Sequence, residues 1–323
     1  MDPVVREAVD GLPASMRRIA GYHFGWWDTS GAPIRAELGK SVRPALVLCA
    51  ARAVGGDASL AVPAAAAVEL VHNCSLLHDD VMDGAPTWRH RPTVWTAFGV
   101  PEAVLTGDAL LASAFRVLAE GPAPFSVTAV VELATACQRL CEGQSEDVSF
   151  ERQVEVSLDQ ARRTAVGKTA SLIGSACALG GVFAGADHTR VESLRRFGEH
   201  IGLAYQLLDD LLGIWGDPEA TGKPAGADLT GRKKSLPVVA ALCSDTDAGR
   251  QLAKLYRHGD PRDAAATARM AGLIEEAGGR AWALGRADAE LAAADAWLDE
   301  LSGDPNGIAE LRTLADLITY RDR

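Results

Sequence analysis

The chain is predicted to fold as an all-α protein, and three observations carry that prediction. No run alternates β-branched or aromatic residues with polar ones between hairpin turns, so strand signals are nearly absent. Long Ala/Leu/Val/Glu/Arg stretches repeat their apolar residues at helical spacing. Gly/Pro clusters punctuate those stretches. The spacing predicts helices over 3–20, 41–54, 61–83, 101–119, 126–147, 158–183, 188–214, 235–256, 262–301 (broken) and 307–320. The breaks fall at Gly55-Gly56, Gly84 to Pro92, Gly121 to Pro124, Gly216 to Lys234 and Ser302 to Gly307.

A length of 323 residues would accommodate two domains. No low-complexity linker divides the chain and no repeat of fixed period appears, so 1–323 reads as a single all-α domain. Lys plus Arg total 32 against 43 Asp plus Glu, a formal charge of −11, which argues against a nucleic-acid binder. Apolar residues make up 48% of the chain, the profile of a globular protein. Charged or polar residues interrupt every candidate membrane span, and the N-terminus has no apolar signal region. Cys49, Cys74, Cys137, Cys141, Cys177 and Cys243 show no CxxC spacing, which points to reduced thiols and a cytoplasmic protein.

Two predicted helices end in paired aspartates. The first runs from Pro63 to Gly84 and presents Val68, His72, Ser75, Asp79 and Asp83 along one face. The second presents Gly198, Gly202, Gln206, Asp209 and Gly213. Each helical glycine costs roughly 1 kcal/mol against alanine, so something must occupy the space it leaves: a close helix crossing, or a cavity. Asp79 and Asp83 lie one turn apart, with Cβ atoms about 5–6 Å apart. Two carboxylates so placed repel by about 3 kcal/mol at an effective dielectric near 20, and the helix C-terminus adds to the repulsion. A hard divalent cation removes the penalty, and carboxylates with substrate phosphates and water form the ligand set of Mg²⁺. Taken alone, either pair is more often a solvated helix end.

Basic residues follow both clusters: Arg89, His90 and Arg91 after the first, and Lys223, Lys233 and Lys234 after the second. Lys40 and Arg43 precede Pro44, and Lys168 lies inside another helix. Cations interleaved with Mg²⁺ ligands suit a diphosphate. Three imitations fail. Gly167-Lys168-Thr169 and Gly39-Lys40-Ser41 lack the first P-loop glycine, having Arg162 and Ile34 there. Asp79 to Gly84 starts like an EF-hand but has Val81 and His90 where oxygen ligands belong.

These residues resemble the trans-isoprenyl (polyprenyl) diphosphate synthases over nearly the whole chain. The matching motifs are Gly39-Lys-Ser-Val-Arg-Pro44, Glu69 to Asp83, Arg89-His-Arg-Pro-Thr93 and Gly107-Asp-Ala-Leu110. They continue with Gly143-Gln144 and Asp147, Lys168-Thr169, Tyr205-Gln-Leu-Leu-Asp-Asp210, Gly216-Asp-Pro218, Gly222-Lys223, Asp228-Leu229 and Lys233-Lys-Ser-Leu-Pro237. The resemblance implies a bundle of antiparallel helices around a deep central cavity, usually a homodimer. It also implies condensation of isopentenyl diphosphate with an allylic diphosphate, using three Mg²⁺ ions. By the same resemblance Asp79 and Asp83 hold two Mg²⁺ and Asp209 a third, supported by Asp80 and Asp210. Lys168, Lys223 and Lys233 clamp the allylic diphosphate, and Lys40, Arg43, His72 and Arg89 hold isopentenyl diphosphate. Lys168, Thr169 and Gln206 face the carbocation.

Two positions depart from the family pattern. Gly213 stands where a third aspartate is usual, and Trp88 where the first of two adjacent arginines is usual. Losing a charge-assisted contact at Trp88 costs about 1.5–3 kcal/mol unless Arg91 or His90 compensates. In this family bulky residues four and five places before the first aspartate stop the growing chain early. Here those places hold Ser75 and Cys74, with Val71 and Ala67 deeper, which favours a product beyond C15 and first of all geranylgeranyl diphosphate (C20). Two other readings stand beside elongation. A cyclase-like enzyme on the same scaffold could use Trp88 as an aromatic wall, although Lys40, Arg43 and Arg89 argue against it. A noncatalytic partner subunit need not keep Asp79, Asp83, Asp209 and Lys168.

Overall fold

The computed structural model describes residues 2–34, 41–88, 91–217, 226–258 and 263–319. Helices follow the expected spans, and the differences have local causes. The span 3–20 is two helices, α1 (Asp2–Asp10) and α2 (Ala14–His23). Pro13 at the second N-cap, with φ −51° and ψ 144°, divides them. α3 is Val42–Ala53, and a 3-10 turn over Ala58–Ala61 leads into α4 (Val62–Met82). A two-stranded hairpin follows, β1 (Thr87–Trp88) and β2 (Arg91–Pro92), then α5 (Val94–Phe98) and α6 (Val100–Ala119). Thr87 pairs with Pro92 and Trp88 with Arg91, strands too short to show any alternation in sequence.

α7 is Ser126–Phe150. The span 158–183 contains α8 (Leu158–Ala165), a π turn over Val166–Ala170 and α9 (Ser171–Phe183). α10 is His188–Trp215 and α11 is Ala227–Thr230. The span 235–256 is α12 (Leu236–Leu242) and α13 (Asp247–His258), parted where the Ser244 hydroxyl turns back to Ala241 O at 2.7 Å. α14 (Ala264–Glu276) and α15 (Gly279–Asp299) divide at Gly278, whose φ of +83° favours glycine. α16 is Pro305–Thr319.

The described residues group into two compact units, each discontinuous in sequence. The first draws on Met1–Cys137, Leu172–Arg195 and Leu298–Ile318. α4 is its central helix, buried at Ala64 through Val68 and at Leu70, Val71, Asn73, Cys74 and Leu77. It packs most extensively against α6 and also against α3 and α1. An α9 backbone lies directly on α3: a Cβ on Gly180 would sit 2.3 Å from Val47 O. α16 is tied to the end of α3 through Asp304 N–H to Ala53 O (2.8 Å) and Arg52 Nε to Glu310 (2.6 Å).

The second unit draws on Gln138–Ser171, Arg196–Trp297 and Thr319–Arg323. One core gathers Leu203, Leu207 and Leu211 of α10 with Phe150, Ala165, Leu236, Val239, Ala283 and Ala287. Another gathers Ile214, Leu229, Val238, Leu252, Met270 and Leu273. Gly202 resolves one choice that the sequence left open. A Cβ there would lie 2.5 Å from Ala170 Cα, so that glycine serves a close helix crossing.

The stretches 58–82 and 158–183, with mean hydropathies of 1.5 and 1.3, are long and apolar enough to cross a membrane by length and composition. Both are mostly buried within the protein, as core helices are.

The glycines yield a paired prediction. Gly180→Ala forces a methyl against Val47 O and should cost about 1–3 kcal/mol in urea unfolding. Gly285→Ala, with open space around that Cβ inside α15, should gain up to about 1 kcal/mol from helix propensity.

Candidate active site

In the first unit the candidate residues gather at the C-terminal end of α4 and around it. Arg43, in the first turn of α3, donates from Nη1 to His72 Nε2 at 3.1 Å. A guanidinium only donates, so His72 accepts at Nε2 and carries its proton on Nδ1. Asp79 and Asp80 are half-buried, and Asp83 is exposed at the helix end. The Asp83 N–H donates to Asp79 O at 2.8 Å, so helical geometry places the two side chains one turn apart. Lys40, Arg89 and His90 lie outside the described residues.

The hairpin beyond Asp83 is held by aromatic contacts. Trp88 stacks on His23 with centroids 6.0 Å apart and planes 12° apart. His23 Nε2 donates to Asn73 Oδ1 (3.0 Å), while Asn73 Nδ2 donates to Glu69 O (2.8 Å). Arg91 lies over the Tyr22 ring, 4.3 Å from its centroid, and the Tyr22 hydroxyl donates to Pro92 O at 2.8 Å. The indole that replaces an expected arginine is therefore a packing element, and Arg91 is engaged with an aromatic face.

The residues expected to set chain length also lie on α4. Val71 and Cys74 are buried. The half-buried Ser75 turns its hydroxyl back to His72 O at 2.8 Å. His78 Nε2 donates to Val104 O at 3.0 Å, and a Cβ on Gly107 would overlap it at 2.2 Å. Gly107 therefore makes room for His78.

In the second unit a glycine crossing shapes the candidate site. A Cβ on Gly143 of α7 would lie 2.4 Å from Lys168 N, and one on Gly167 would lie 2.8 Å from Arg139 O. The π turn Val166–Ala170 sits at this crossing and carries Lys168 and Thr169. Lys168 Nζ pairs with Asp147 at 2.6 Å. Thr169 Oγ1 donates to Gln206 Oε1 at 2.5 Å, and Gln206 Nε2 donates to Asp210 Oδ1 at 2.6 Å. The other Asp210 oxygen accepts from Leu236 N–H at 2.9 Å. Burial pushes the Asp210 carboxyl up to about 8. The bonds from Gln206 and Leu236 oppose that shift, and the nearby Asp228 and Asp209 carboxylates add to it.

Asp209 is exposed beside it and Lys233 is half-buried, whereas Lys223 lies outside the described residues. Lys234, grouped by sequence with the phosphate-binding cations, donates instead to the carbonyl oxygens of Phe150 and Gln153. Asp228, which sequence reasoning gave no role, lies against Gly213: a Cβ there would be 2.1 Å from Asp228 Oδ2. The space of the missing third aspartate is filled by a carboxylate from α11.

The carboxylates in each unit are of the kind that suits a hard divalent cation: Asp79 and Asp83 in the first and Asp209 in the second, yet no three His, Cys, Asp or Glu among the described residues converge into a cage. Such an incomplete oxygen set is what Mg²⁺ completes with phosphates and water.

An all-α fold with two aspartate-ended helices and a lysine-bearing π turn defines a class of prenyl-transfer enzymes. A family model described as polyprenyl synthetase matches residues 29–273. The chain is 46% identical over 321 residues to a geranylgeranyl diphosphate synthase of Mycobacterium tuberculosis, covering 99% of this chain and 91% of that one. It is 42% identical over 322 residues to a (2E,6E)-farnesyl diphosphate synthase of the same organism, covering 99% and 90%. A polyprenyl synthetase structure from Streptomyces coelicolor A3(2) superposes with a TM-score of 0.93 at 42% identity, covering 98% of this chain and 96% of that one. A geranylgeranyl pyrophosphate synthase from Corynebacterium glutamicum, complexed with isoprenyl diphosphate and magnesium, matches with a TM-score of 0.85 at 26% identity, covering 99% and 98%. The chain belongs to the polyprenyl synthetase family and is a trans-prenyltransferase.

The hairpin contacts predict a stability difference. Trp88→Arg removes the stacked ring and should lower stability by about 0.5–1.5 kcal/mol, whereas Trp88→Phe should retain most of it. Thermal unfolding of the two variants measures the difference.

Proposed function

We propose that this enzyme condenses isopentenyl diphosphate with an allylic diphosphate, in a Mg²⁺-dependent reaction, to give geranylgeranyl diphosphate (C20). The observation that carries the chain length is the set of small side chains at Val71, Cys74 and Ser75 on α4, with the Ser75 hydroxyl turned back onto its own helix. The geranylgeranyl diphosphate synthase relative supports this reading, and the farnesyl diphosphate synthase relative makes C15 the competing product.

Asp79 and Asp83 would hold two Mg²⁺ ions and Asp209 a third, with Asp80 and Asp210 in support. Asp228 takes the part of the carboxylate that Gly213 lacks. When bound, the ions neutralise the charge of the departing diphosphate. Lys168, Lys223 and Lys233 bind the allylic diphosphate, and Lys40, Arg43, His72 and Arg89 bind isopentenyl diphosphate. His72, neutral and held by Arg43, keeps that guanidinium oriented toward a phosphate. Lys168, Thr169 and Gln206 face the allylic carbon as its C–O bond breaks. The Thr169–Gln206 bond fixes both dipoles in advance, so they need not reorganise as positive charge develops. The double bond of isopentenyl diphosphate then forms the new C–C bond, and the proton lost from it passes to the released diphosphate.

We also read the two units as one catalytic domain, since neither is continuous in sequence. The scattered spacing of the six cysteines, with no CxxC pair, supports a cytoplasmic location. A homodimer is supported by apolar residues left exposed on α6 and the first turns of α7: Val100, Val104, Leu105, Val127 and Val131.

Incubation with Mg²⁺, labelled isopentenyl diphosphate and C5, C10 or C15 allylic diphosphates tests the chemistry. Label should appear in a C20 alcohol after dephosphorylation. A C15 stop overturns the small-wall argument, and a cyclic hydrocarbon from an allylic diphosphate alone favours the cyclase reading. For the dimer, Leu105→Asp should lower the mass measured by light scattering toward that of one chain. A wild-type mass of 33.9 kDa would refute it.

A further inference from the structure

Lys233 and Lys234 are adjacent and equally charged, but the structure gives Lys234 a different task. Its ammonium donates to the carbonyl oxygens of Phe150 and Gln153, 84 and 81 residues away in sequence. Phe150 is the last residue of α7, where the dipole favours a cation, and Gln153 lies in the turn just beyond it. Burial holds the Lys234 pKa below the ordinary lysine value. The segment 233–236 is held at three more points. The Tyr256 hydroxyl of α13 donates to Lys233 O at 3.1 Å. Lys233 N–H donates to Asp228 O at 2.8 Å, and Leu236 N–H donates to Asp210 at 2.9 Å. The Lys233 and Leu236 backbone and the Lys234 side chain thereby bond this segment to α10, α11, α13 and the end of α7. A lysine is a point charge on a flexible stem, so fixing its backbone removes part of the freedom it would lose on binding a phosphate.

We propose that Lys234 and Tyr256 are positioning residues, which fix the Lys233 backbone so that its ammonium meets the allylic diphosphate. Lys234 itself binds no phosphate. This inference rests on the reading of Lys233 as an allylic-diphosphate ligand. Tyr256 lies outside every motif in the chain, and its contact with Lys233 is made through the main chain, which no residue pattern displays.

The test is steady-state kinetics of the full-length enzyme with Mg²⁺, geranyl diphosphate and isopentenyl diphosphate, with thermal unfolding of each variant. Tyr256→Phe, which removes one hydroxyl, and Lys234→Met should each raise the KM for geranyl diphosphate about threefold to tenfold. The KM for isopentenyl diphosphate and kcat should stay within about twofold of wild type. Lys234→Arg, still able to donate to both carbonyls, should restore most of the loss. In a Lys233→Met background, Tyr256→Phe and Lys234→Met should raise the geranyl diphosphate KM no further. An equal further rise in that background overturns the proposal, because the residues would then act without Lys233. A fall in Tm with both KM values unchanged also overturns it, leaving a structural role alone. If Lys234→Met fails to fold, Tyr256→Phe still decides. An unchanged geranyl diphosphate KM in Lys233→Met overturns the ligand reading itself. A raised KM there, with none in Tyr256→Phe or Lys234→Met, overturns the positioning role alone.

Discussion

A buried carboxylate needs hydrogen-bond partners, and satisfying Asp210 organises much of the second unit. Its two oxygens accept from Gln206 and from the Leu236 N–H at the start of α12. Gln206, its amide oriented by that bond, presents its oxygen to Thr169 on the π turn. One chain of bonds therefore joins α10, α12 and the turn that carries Lys168. The energetic cost of burial is visible in the Asp210 carboxyl, pushed up to about 8. A carboxyl so destabilised as an anion, with Asp209 and Asp228 beside it, lies in a field that a divalent cation would relieve.

The first unit meets a different demand. α4 is too apolar to be anything but a core helix through Leu77, yet it ends in Asp79, Asp80 and Asp83. The hairpin after Asp83 is anchored by aromatic surfaces on α2, with Trp88 on His23 and Arg91 on Tyr22. Trp88 thus supplies ring packing where the family pattern has an arginine, and Arg43 of α3 is paired with His72.

Much of the fold was legible because helical periodicity and Gly/Pro breaks are local signals. α3, α4, α6 and α10 lie within a residue or two of their expected bounds. The aspartates of α4 stood out for a related reason: Asp79 and Asp83 are like charges one turn apart at a helix end, unfavourable unless something binds them. Features that depend on distant partners were not legible. The π turn arises where Gly143 and Gly167 cross, and neither glycine announces the other. Gly213 reads as a lost ligand until Asp228 is found in its space. Lys234 reads as a second phosphate cation until its carbonyl partners at the end of α7 and just beyond it are known.

The sequence by itself determined that this chain is helical, that its aspartates and lysines suit a diphosphate with a hard cation, and that α4 carries small residues before Asp79. Those properties reside in side-chain chemistry and in spacings of three and four residues, which a helix converts directly into a face. The tertiary structure alone decided which of two adjacent lysines caps a helix, which carboxylate stands beside Gly213, and which way Gln206 is turned. Each of those depends on backbone carbonyls, amides or voids supplied by elements remote in sequence, and such groups are the same for every residue type.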